Sequence, residues 1–402
     1  MSLNPADNKV PYADMKGRLQ PELLRAVEVM GYSHMSPVQY KVLSELPSFT
    51  DDCLVQAKTG TGKTLAFLLP TLQNLLTSKK HSAGKVSILV VAPTRELAQQ
   101  IATECDKVTA FCAPRLECHL AFGGSNKKSH LNKFMKGKPS ILVATPGRLL
   151  DYLSEEPVRA KFSSMQSLVL DEADTMLDRG FLEDIIKILN ILPKKQTTKW
   201  QGMCFSATMP PKINAVLHHV LKPGCPHLST VSESETPTID SVPQSLITVP
   251  GIEEVIPTLY TLLAQETAKN QKLKAVVFSS TARNAQLLHE LFEQKGVSPA
   301  NLPVHQMHSR MSQPARTKTV DAFKSADRGL LFASDVVGRG MDFPDIGLVV
   351  QIGLPMNKEQ YVHRVGRTGR AGKSGQAVII MTPEERHFMT KHREFPVQNA
   401  TL

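Results

Sequence analysis

The chain has 402 residues, with 47 Lys and Arg against 37 Asp and Glu and a formal net charge of +10. No stretch approaches 20 consecutive apolar residues, which excludes a transmembrane helix, and the first residues do not resemble a signal peptide. The length predicts two domains of roughly 150–200 residues each, and the basic charge is compatible with a polyanionic partner.

The predicted elements alternate short apolar runs with amphipathic segments, which is typical of parallel sheets covered by helices. Predicted strands in the first half are 53–55, 87–92, 140–144, 168–170 and 202–205, and in the second half 275–278, 329–333, 348–351 and 376–380. We therefore predict an α/β fold with two tandem parallel-sheet domains, 31–228 and 244–384. An N-terminal segment (1–30) precedes them, a flexible linker (229–243) joins them, and a C-terminal tail (385–402) follows.

A glycine-rich run at 57–64 follows the first predicted strand and leads into a helical pattern. Gly60 and Gly62 let successive backbone N–H groups approach polyphosphate oxygens, because no Cβ blocks them. Lys63 then supplies a charge for the β- and γ-phosphates, and the Thr64 hydroxyl is a ligand for Mg²⁺. The predicted cradle consists of Thr59, Gly60, Thr61, Gly62, Lys63 and Thr64.

An acidic run, Asp-Glu-Ala-Asp at 171–174, directly follows the apolar strand at 168–170. Asp171 would complete the metal site, and Glu172 is placed to orient and deprotonate a water that attacks the γ-phosphate. The alternative is a glycine-rich turn and an acidic helix cap that bind no ligand. Two such runs at strand ends favour a site for a nucleoside triphosphate and Mg²⁺.

An Ala-x-Thr-Gly-x-Gly-Lys-Thr loop together with Asp-Glu-Ala-Asp resembles the DEAD-box RNA helicases, and further motifs of that family follow in order over residues 12–384. The resemblance implies two RecA-like domains, ATP and Mg²⁺ as cofactors, and RNA as the partner. It also implies that Gln39 hydrogen-bonds the adenine edge, with Tyr32 near its face. Tyr12 or a neighbour stands where the family has an upstream aromatic residue.

The resemblance assigns the remaining site residues as well. Arg367 and Arg370 resemble paired arginine fingers, and Asp342 would contact the ribose. The RNA-backbone residues would be Pro93, Arg95, Gly123, Gly124, Thr145, Arg148, His308 and Ser334. The residues that couple the nucleotide to domain closure would be Asp174, Ser206, Thr208 and His363.

Three functions are compatible with these residues. The first is an ATP-dependent RNA helicase or RNA chaperone that separates duplexes locally on domain closure and releases RNA after hydrolysis. The second is an ATP-gated RNA clamp that scaffolds a ribonucleoprotein with little turnover. The third, a duplex-DNA translocase, is disfavoured by Gln39 and by the complete acidic run.

Two local segments, 340–344 and 351–355, are similar to the mitochondrial RNA-chaperone branch, whose members assist folding and splicing of introns. This similarity implies an intracellular protein of the mitochondrial matrix, with nucleus or cytoplasm as the alternative. Members of that branch continue into a helical extension and a basic tail, so the short tail here implies a truncated chain or another subgroup. We expect a monomer that binds RNA largely without sequence preference, and protein cofactors are compatible with the sequence.

Overall fold

The structure, a computed structural model, describes residues 10–58, 60–78, 82–124, 127–231, 242–335, 343–369, 374–393 and 395–401. The chain divides into two compact units, Met1–Ser232 and Glu233–Leu402. Each unit contains a seven-stranded sheet whose strand pairs are all parallel. These sheets confirm the predicted α/β class.

The first unit has the strand order β3-β4-β2-β5-β6-β1-β7. Its strands are β1 (Cys53–Gln56), β2 (Ile88–Val91), β3 (Glu117–Ala121), β4 (Pro139–Ala144), β5 (Ser167–Leu170), β6 (Gln201–Ser206) and β7 (His227–Ser229). Its α-helices are α1 (Pro21–Val29), α2 (Pro37–Glu45), α3 (Lys63–Thr77), α4 (Arg95–Val108), α5 (Lys127–Lys136), α6 (Pro146–Leu153), α7 (Glu156–Arg159), α8 (Ala173–Asp178), α9 (Leu182–Ile191), α10 (Lys195–Thr198) and α11 (Asn214–Val220). Short 3₁₀ turns lie at Tyr12–Met15, Ala160–Phe162 and Pro211–Ile213.

Apolar side chains cover both faces of the first sheet. Along β2, Ile88 and Val90 enter one apolar cluster, whereas Leu89 and Val91 enter the other. This alternation follows from the two-residue period of a strand, and strands buried on both faces are therefore apolar throughout. The N-terminal segment contributes to the first cluster through Leu23, so its described part belongs to the core of this unit.

The second unit has the strand order β10-β11-β9-β12-β13-β8-β14. Its strands are β8 (Gln244–Thr248), β9 (Lys274–Ser279), β10 (Val304–Met307), β11 (Gly329–Ala333), β12 (Leu348–Ile352), β13 (Gln376–Met381) and β14 (Val397–Ala400). Its α-helices are α12 (Val255–Lys269), α13 (Ala282–Glu293), α14 (Gln313–Ser325), α15 (Lys358–Val365) and α16 (His387–Lys391), with 3₁₀ turns at Ile252–Glu254, Pro299–Asn301 and Pro383–Arg386. Two apolar clusters again occupy the two faces of the sheet.

The predicted C-terminal tail, 385–402, is part of the second unit. Strand β14 pairs with β8 in parallel, with Val397 opposite Gln244, and the buried Phe395 stacks on Tyr361 with ring centroids 4.4 Å apart. The predicted boundary at 384 therefore falls inside this unit. Most of the predicted linker, 232–241, lies outside the described residues. No helix in the described part of the chain is long and apolar enough to cross a membrane.

Candidate active site and nucleic-acid interface

Six neighbouring strands of the first sheet end next to a predicted site segment, and the strand order sorts these segments into two groups. Strands β3, β4 and β2 lie side by side and precede the predicted RNA segments. Strands β5, β6 and β1 also lie side by side and precede the acidic run, the coupling segment and the phosphate cradle. Parallel strands all end at the same edge of a sheet. The RNA segments therefore occupy one half of this edge, and the nucleotide segments occupy the other half.

The phosphate cradle connects β1 to α3, a helix of 15 residues. Gly62 caps this helix at φ +93°, and a Cβ at this position would lie 2.5 Å from Nε2 of Gln39. Both the left-handed backbone and the close approach require glycine here. The free N–H groups and the positive dipole end of α3 make this loop suited to a phosphate group.

Two other cradle residues, Lys63 and Thr61, hydrogen-bond to backbone carbonyls at the start of the loop. The side chain of Lys63 is buried and donates from Nζ to the carbonyl of Ala57 at 3.2 Å. Gly60 has φ +76°, and the Thr61 hydroxyl donates to the carbonyl of Lys58 at 2.8 Å. Thr64 is half-buried in the first turn of α3, whereas Thr59 lies outside the described residues.

Gln39 is buried against the cradle with its amide fixed in orientation. Its Oε1 accepts from the hydroxyl of Tyr12 at 2.7 Å and from the backbone N–H of Ser36 at 2.8 Å. Its Nε2 donates to the carbonyl of Gly62 at 3.0 Å. One Nε2 hydrogen remains for a ligand, so the predicted base-reading residue is held directly on the phosphate loop.

Two tyrosines flank this position. Tyr12 is buried, and burial raises the pKa of its hydroxyl, with a smaller contribution from nearby Tyr32. Tyr32 is 45% exposed. The structure thus places the predicted upstream aromatic residue on Gln39, and Tyr32 at the surface close to it.

The acidic run begins where β5 ends. Burial raises the pKa of the Asp171 carboxyl to about 7; Lys63 opposes this rise, and Glu172 adds to it. The electrostatic effect of Lys63 on Asp171 indicates that the acidic run lies near the cradle. Oδ1 of Asp171 accepts from the backbone N–H of Glu172 at 3.0 Å.

Glu172 is a buried residue in the left-handed region, at φ +52° and ψ +54°. This conformation is costly for a residue other than glycine, and such strain clusters at functional sites. Oε2 of Glu172 accepts from the hydroxyl of Thr175 at 3.2 Å, which fixes the carboxylate.

The residues present fit a triphosphate with Mg²⁺. The Asp171 carboxylate and the Thr64 hydroxyl are hard oxygen donors of the kind that Mg²⁺ prefers. The N-terminus of α3 and the left-handed glycines supply N–H groups for phosphate oxygens. A cation beside Asp171 would favour its ionised form, countering the effect of burial.

The predicted coupling residues of the first unit form one hydrogen-bonded group. Oδ2 of Asp174 accepts from the backbone N–H and the hydroxyl of Thr208, each at 2.9 Å, and from the N–H of Ala207 at 3.2 Å. The hydroxyl of Ser206 donates to the carbonyl of Thr208 at 2.7 Å. The segment after β6 is therefore attached to the helix that begins beside Glu172.

Among the predicted RNA residues, Arg95 packs against Gly123 and Gly124. Arg95 begins α4, after β2, and its guanidinium lies over the segment that follows β3. A Cβ on Gly124, at φ +78°, would lie 2.1 Å from Nη1 of Arg95; on Gly123 it would lie 3.4 Å from Nη2. Glycine at 124 thus makes room for the guanidinium.

The other predicted RNA residues of this unit, Pro93, Thr145 and Arg148, are buried or mostly buried. Pro93 is buried in the turn before α4. Thr145 is buried at the start of α6, and its N–H donates to the carbonyl of Ala121 at the end of β3, at 3.0 Å. Only 10% of the Arg148 side chain is exposed, and its Nε lies 3.6 Å from Asp151.

In the second unit, His308 and Ser334 follow the adjacent strands β10 and β11. Both are buried, and the N–H of Ser334 donates to the carbonyl of Met307 at 3.1 Å. A ring nitrogen of His308, Nε2, lies 2.9 Å from Oε1 of Gln306. Burial lowers the pKa of His308, and positive neighbours, Arg310 first, lower it further.

His363 and Arg367 lie one turn apart at the end of α15, both buried, with Nε of Arg367 donating to the carbonyl of His363 at 3.1 Å. Asp342 and Arg370, the other two predicted nucleotide contacts of this unit, lie outside the described residues. The structure thus places one of the two predicted arginine fingers.

Sequence reasoning missed Arg364 as a site residue. Its side chain is fully buried, and Nε and Nη2 lie 2.9 and 2.8 Å from Oδ1 of Asp335, directly after Ser334. This ion pair ties the segment after β11 to α15. The signal was present in the His-Arg-Val-Gly-Arg run, since an arginine between two predicted site residues, His363 and Arg367, is a candidate to pair with an acidic side chain.

Two tandem parallel sheets, each with its functional segments at the strand ends, define a two-domain nucleotide-dependent helicase core. The sequence matches the family models described as DEAD/DEAH box helicase, over residues 36–216, and helicase conserved C-terminal domain, over 254–372. The chain belongs to the DEAD-box family of ATP-dependent RNA helicases.

Three relatives illustrate this membership. The chain is 55% identical over 395 residues to the mitochondrial ATP-dependent RNA helicase mss116 of Aspergillus oryzae, covering 98% of this chain but only 61% of that protein. It is 52% identical over 389 residues to the mitochondrial MSS116 of Phaeosphaeria nodorum, covering 96% and 70%. The structure of Mss116p bound to ssRNA and AMP-PNP superimposes with a TM-score of 0.90 at 31% identity, covering 98% and 80%.

Proposed function

We propose that the chain is an RNA-dependent ATPase that remodels RNA by local strand separation. The observation that carries this proposal is the division of the first sheet's strand-end edge. Three neighbouring strands carry the cradle, the acidic run and the coupling segment, and the next three carry the RNA segments. Nucleotide and RNA thus share one rigid sheet, so binding of either can affect the other.

In this proposal the nucleotide is ATP with Mg²⁺. The N–H groups of the cradle hold the phosphates, and Lys63 neutralises charge on them. Thr64 and Asp171 would hold the metal ion, which when bound would offset phosphate charge. Gln39 would donate its remaining Nε2 hydrogen to the base, and through Gly62 it links base binding to the loop.

Hydrolysis would be assisted by Glu172, whose fixed, buried carboxylate can accept the proton of an attacking water. Arg367, with Arg370, would supply the positive charge that the transferring phosphoryl group needs. Because these arginines belong to the second unit, hydrolysis would wait for the two units to close.

RNA would be held through its backbone. Arg95 offers a guanidinium, Gly123 and Gly124 leave the neighbouring chain uncovered by side chains, and backbone contacts carry little sequence information. His308 and Ser334 would add contacts from the second unit. A strand held by both units in a fixed path leaves its duplex partner, and release after hydrolysis would complete the cycle.

An ATP-gated clamp with little turnover is the second candidate. It shares every binding residue, and it would differ only in a stalled hydrolysis step. The strained Glu172 favours the ATPase, because a clamp has no need of a positioned general base. The similarity to mitochondrial relatives supports a mitochondrial location. We also propose intron RNA as a substrate, as the resemblance of segments 340–344 and 351–355 implies, and a monomer as the active form.

Strand displacement tests this proposal. With duplex in excess over protein, a labelled short RNA duplex with a single-stranded extension should separate over many turnovers when ATP and Mg²⁺ are added. It should stay largely paired with GTP, with EDTA, or with the variant Glu172→Gln, which binds RNA but does not release it. Separation by the bound protein at the same rate without hydrolysable nucleotide would favour the clamp. Equal separation of a DNA duplex of the same sequence would contradict the choice of RNA.

A further inference from the structure

The outer face of helix α12 carries an exposed apolar stripe. Ile252, in the turn before the helix, is 80% exposed, Ile256 37% and Tyr260 42%. Residues spaced by four lie on one side of a helix. These are three of the nine large apolar side chains that are exposed in the part of the chain the structure describes. A fourth, Leu287, is half exposed on α13, which contacts α12 through Phe292 and Tyr260, with ring centroids 6.4 Å apart.

The opposite face of α12 is also apolar, since Leu259, Leu262 and Leu263 are buried in the core of the second unit. Residues 255–265 contain no charged side chain at all. A helix that covers a sheet normally shows charged residues to solvent, and one that is apolar on all sides is normally buried on all sides. The outer face of α12 shows Ile256 and Tyr260 beside the uncharged Thr261 and Gln265, a composition that suits a binding surface.

The charge around the stripe indicates which kind of partner would bind there. Residues 251–269 include Glu253, Glu254 and Glu266 and one cation, Lys269, which pairs with Glu266 at 2.7 Å, so the local charge is −2 in a chain of net charge +10. Glu253 and Glu254 are exposed beside Ile252. Such a surface repels the phosphate backbone of RNA and attracts a cationic partner. It also lies in the helical layer, whereas the predicted RNA residues follow strands β10 and β11.

We propose that the α12 docking face, formed by Ile252, Ile256 and Tyr260 with Glu253 and Glu254, binds a basic amphipathic helix of a partner protein. The partner would place apolar side chains at helical spacing on the stripe and Lys or Arg beside the two glutamates. Within the second unit this surface is separate from the predicted RNA residues His308 and Ser334, which follow β10 and β11.

Isoleucine methyl groups report directly on this face. The full chain, labelled at Ile δ1 methyls, is titrated with a synthetic amphipathic helix of Leu and Lys of about 18 residues. The shifts of Ile252 and Ile256 should change, while buried Ile88 and Ile141 in the first sheet stay still. A peptide with Glu in place of Lys, and a scrambled Leu/Lys peptide of the same composition, should not bind. Binding of all three peptides alike, or shifts spread over both units, would overturn the proposal.

A matched pair of variants completes the test. Ile256 and Ile191 are both 37% exposed and both at the surface of helices, one in each unit. Ile256→Glu should weaken the Leu/Lys peptide roughly tenfold or more, and Ile191→Glu should not. Equal loss in both variants would overturn the proposal, as would a shift of Ile252 and Ile256 on adding single-stranded RNA. So would concentration-dependent self-association that Ile256→Glu abolishes, because a second copy would then be the occupant.

Discussion

The carboxylate of Asp174 and the side chain of Thr208 are joined by a 2.9 Å hydrogen bond, and the backbone N–H of Thr208 donates to the same oxygen at the same distance. These residues are separated by 34 positions and belong to segments that follow different strands. Asp174 is fully buried and lies two residues after Glu172. A displacement at the proposed general base therefore has a direct route to the segment after β6.

Thr208→Val should uncouple ATP turnover from RNA unwinding, because it removes the hydroxyl while keeping the size of the side chain and the N–H donor. We expect unwinding to fall more than phosphate release. The loss of a hydrogen bond to a charged group should also cost the first unit about 1.5–3 kcal/mol. Thr103→Val is the control, because the Thr103 hydroxyl donates only to Gln99 on an exposed helix face. Parallel losses in unwinding and turnover would reject the coupling role.

Glu172→Gln should abolish hydrolysis but keep ATP and RNA binding. The amide can still accept from Thr175, so the loop is preserved, but it cannot take a proton from water. Phosphate release should fall by about 10²–10⁴, with RNA affinity in the presence of ATP unchanged. Glu183→Gln, at a side chain 85% exposed on α9, should leave both quantities as in the parent. Full turnover in Glu172→Gln would exclude this residue as the base.

Gln39→Ala should erode the preference for ATP over GTP, since the amide is held on Gly62 with one hydrogen left for the base. We expect a selectivity loss of about tenfold, measured as the ratio of kcat/KM for the two nucleotides. Gln73→Ala is a matched control, because Gln73 is also a buried glutamine and accepts from the N–H of Gln20 at 2.7 Å. If both variants keep the parental ratio, Gln39 does not read the base.

Acid should destabilise the second unit through two histidines, the half-buried His305 and the buried His308. Burial lowers the pKa of His305 and of His308 below the ordinary value of 6.5, and positive neighbours lower both further. The unfolded chain therefore takes up protons first. The stability that the neutral rings contribute is present above the unfolded pKa and is lost as the pH falls through the folded pKa.

Calorimetric unfolding between about pH 7.5 and pH 5.5 measures this effect. The parent should lose more stability in its second unit than the double variant His305→Gln/His308→Gln over the same range. The variant His34→Gln, at an exposed position of the first unit, should follow the parent. An identical pH dependence in parent and double variant would show that these two rings carry no such effect.

Strands buried on both faces could be predicted from the sequence, because they are continuous apolar runs such as β2 and β11. The missed strands are more polar and lie at sheet edges or next to one: β3 reads Glu-Cys-His-Leu-Ala, β7 His-Leu-Ser, β8 Gln-Ser-Leu-Ile-Thr, β10 Val-His-Gln-Met, and β14 Val-Gln-Asn-Ala. Because β14 is polar, the sequence predicts residues 385–402 as a separate tail and not as part of the second sheet. The pairing of β14 with β8 depends on a neighbour about 150 residues away in sequence, which no local pattern reveals.

The candidate site shows the same limit. Motif spacing predicted a set of candidate site residues, and two of them, Lys63 and Asp171, interact electrostatically in the structure. It could not predict that Tyr12 would fix the amide of Gln39, nor that Arg364 would pair with Asp335. Tyr12 and Gln39 are 27 positions apart, and Arg364 and Asp335 are 29 apart. Each contact forms only when the fold brings two separate segments together, so no local pattern reveals it.

Steady-state phosphate release from ATP decides whether RNA gates turnover, when it is measured with no nucleic acid, with single-stranded RNA, and with DNA of the same sequence. We predict slow release alone and with DNA, and strong stimulation by RNA, because turnover waits for closure on RNA. Equal stimulation by DNA, or a rate that does not depend on nucleic acid, would contradict it.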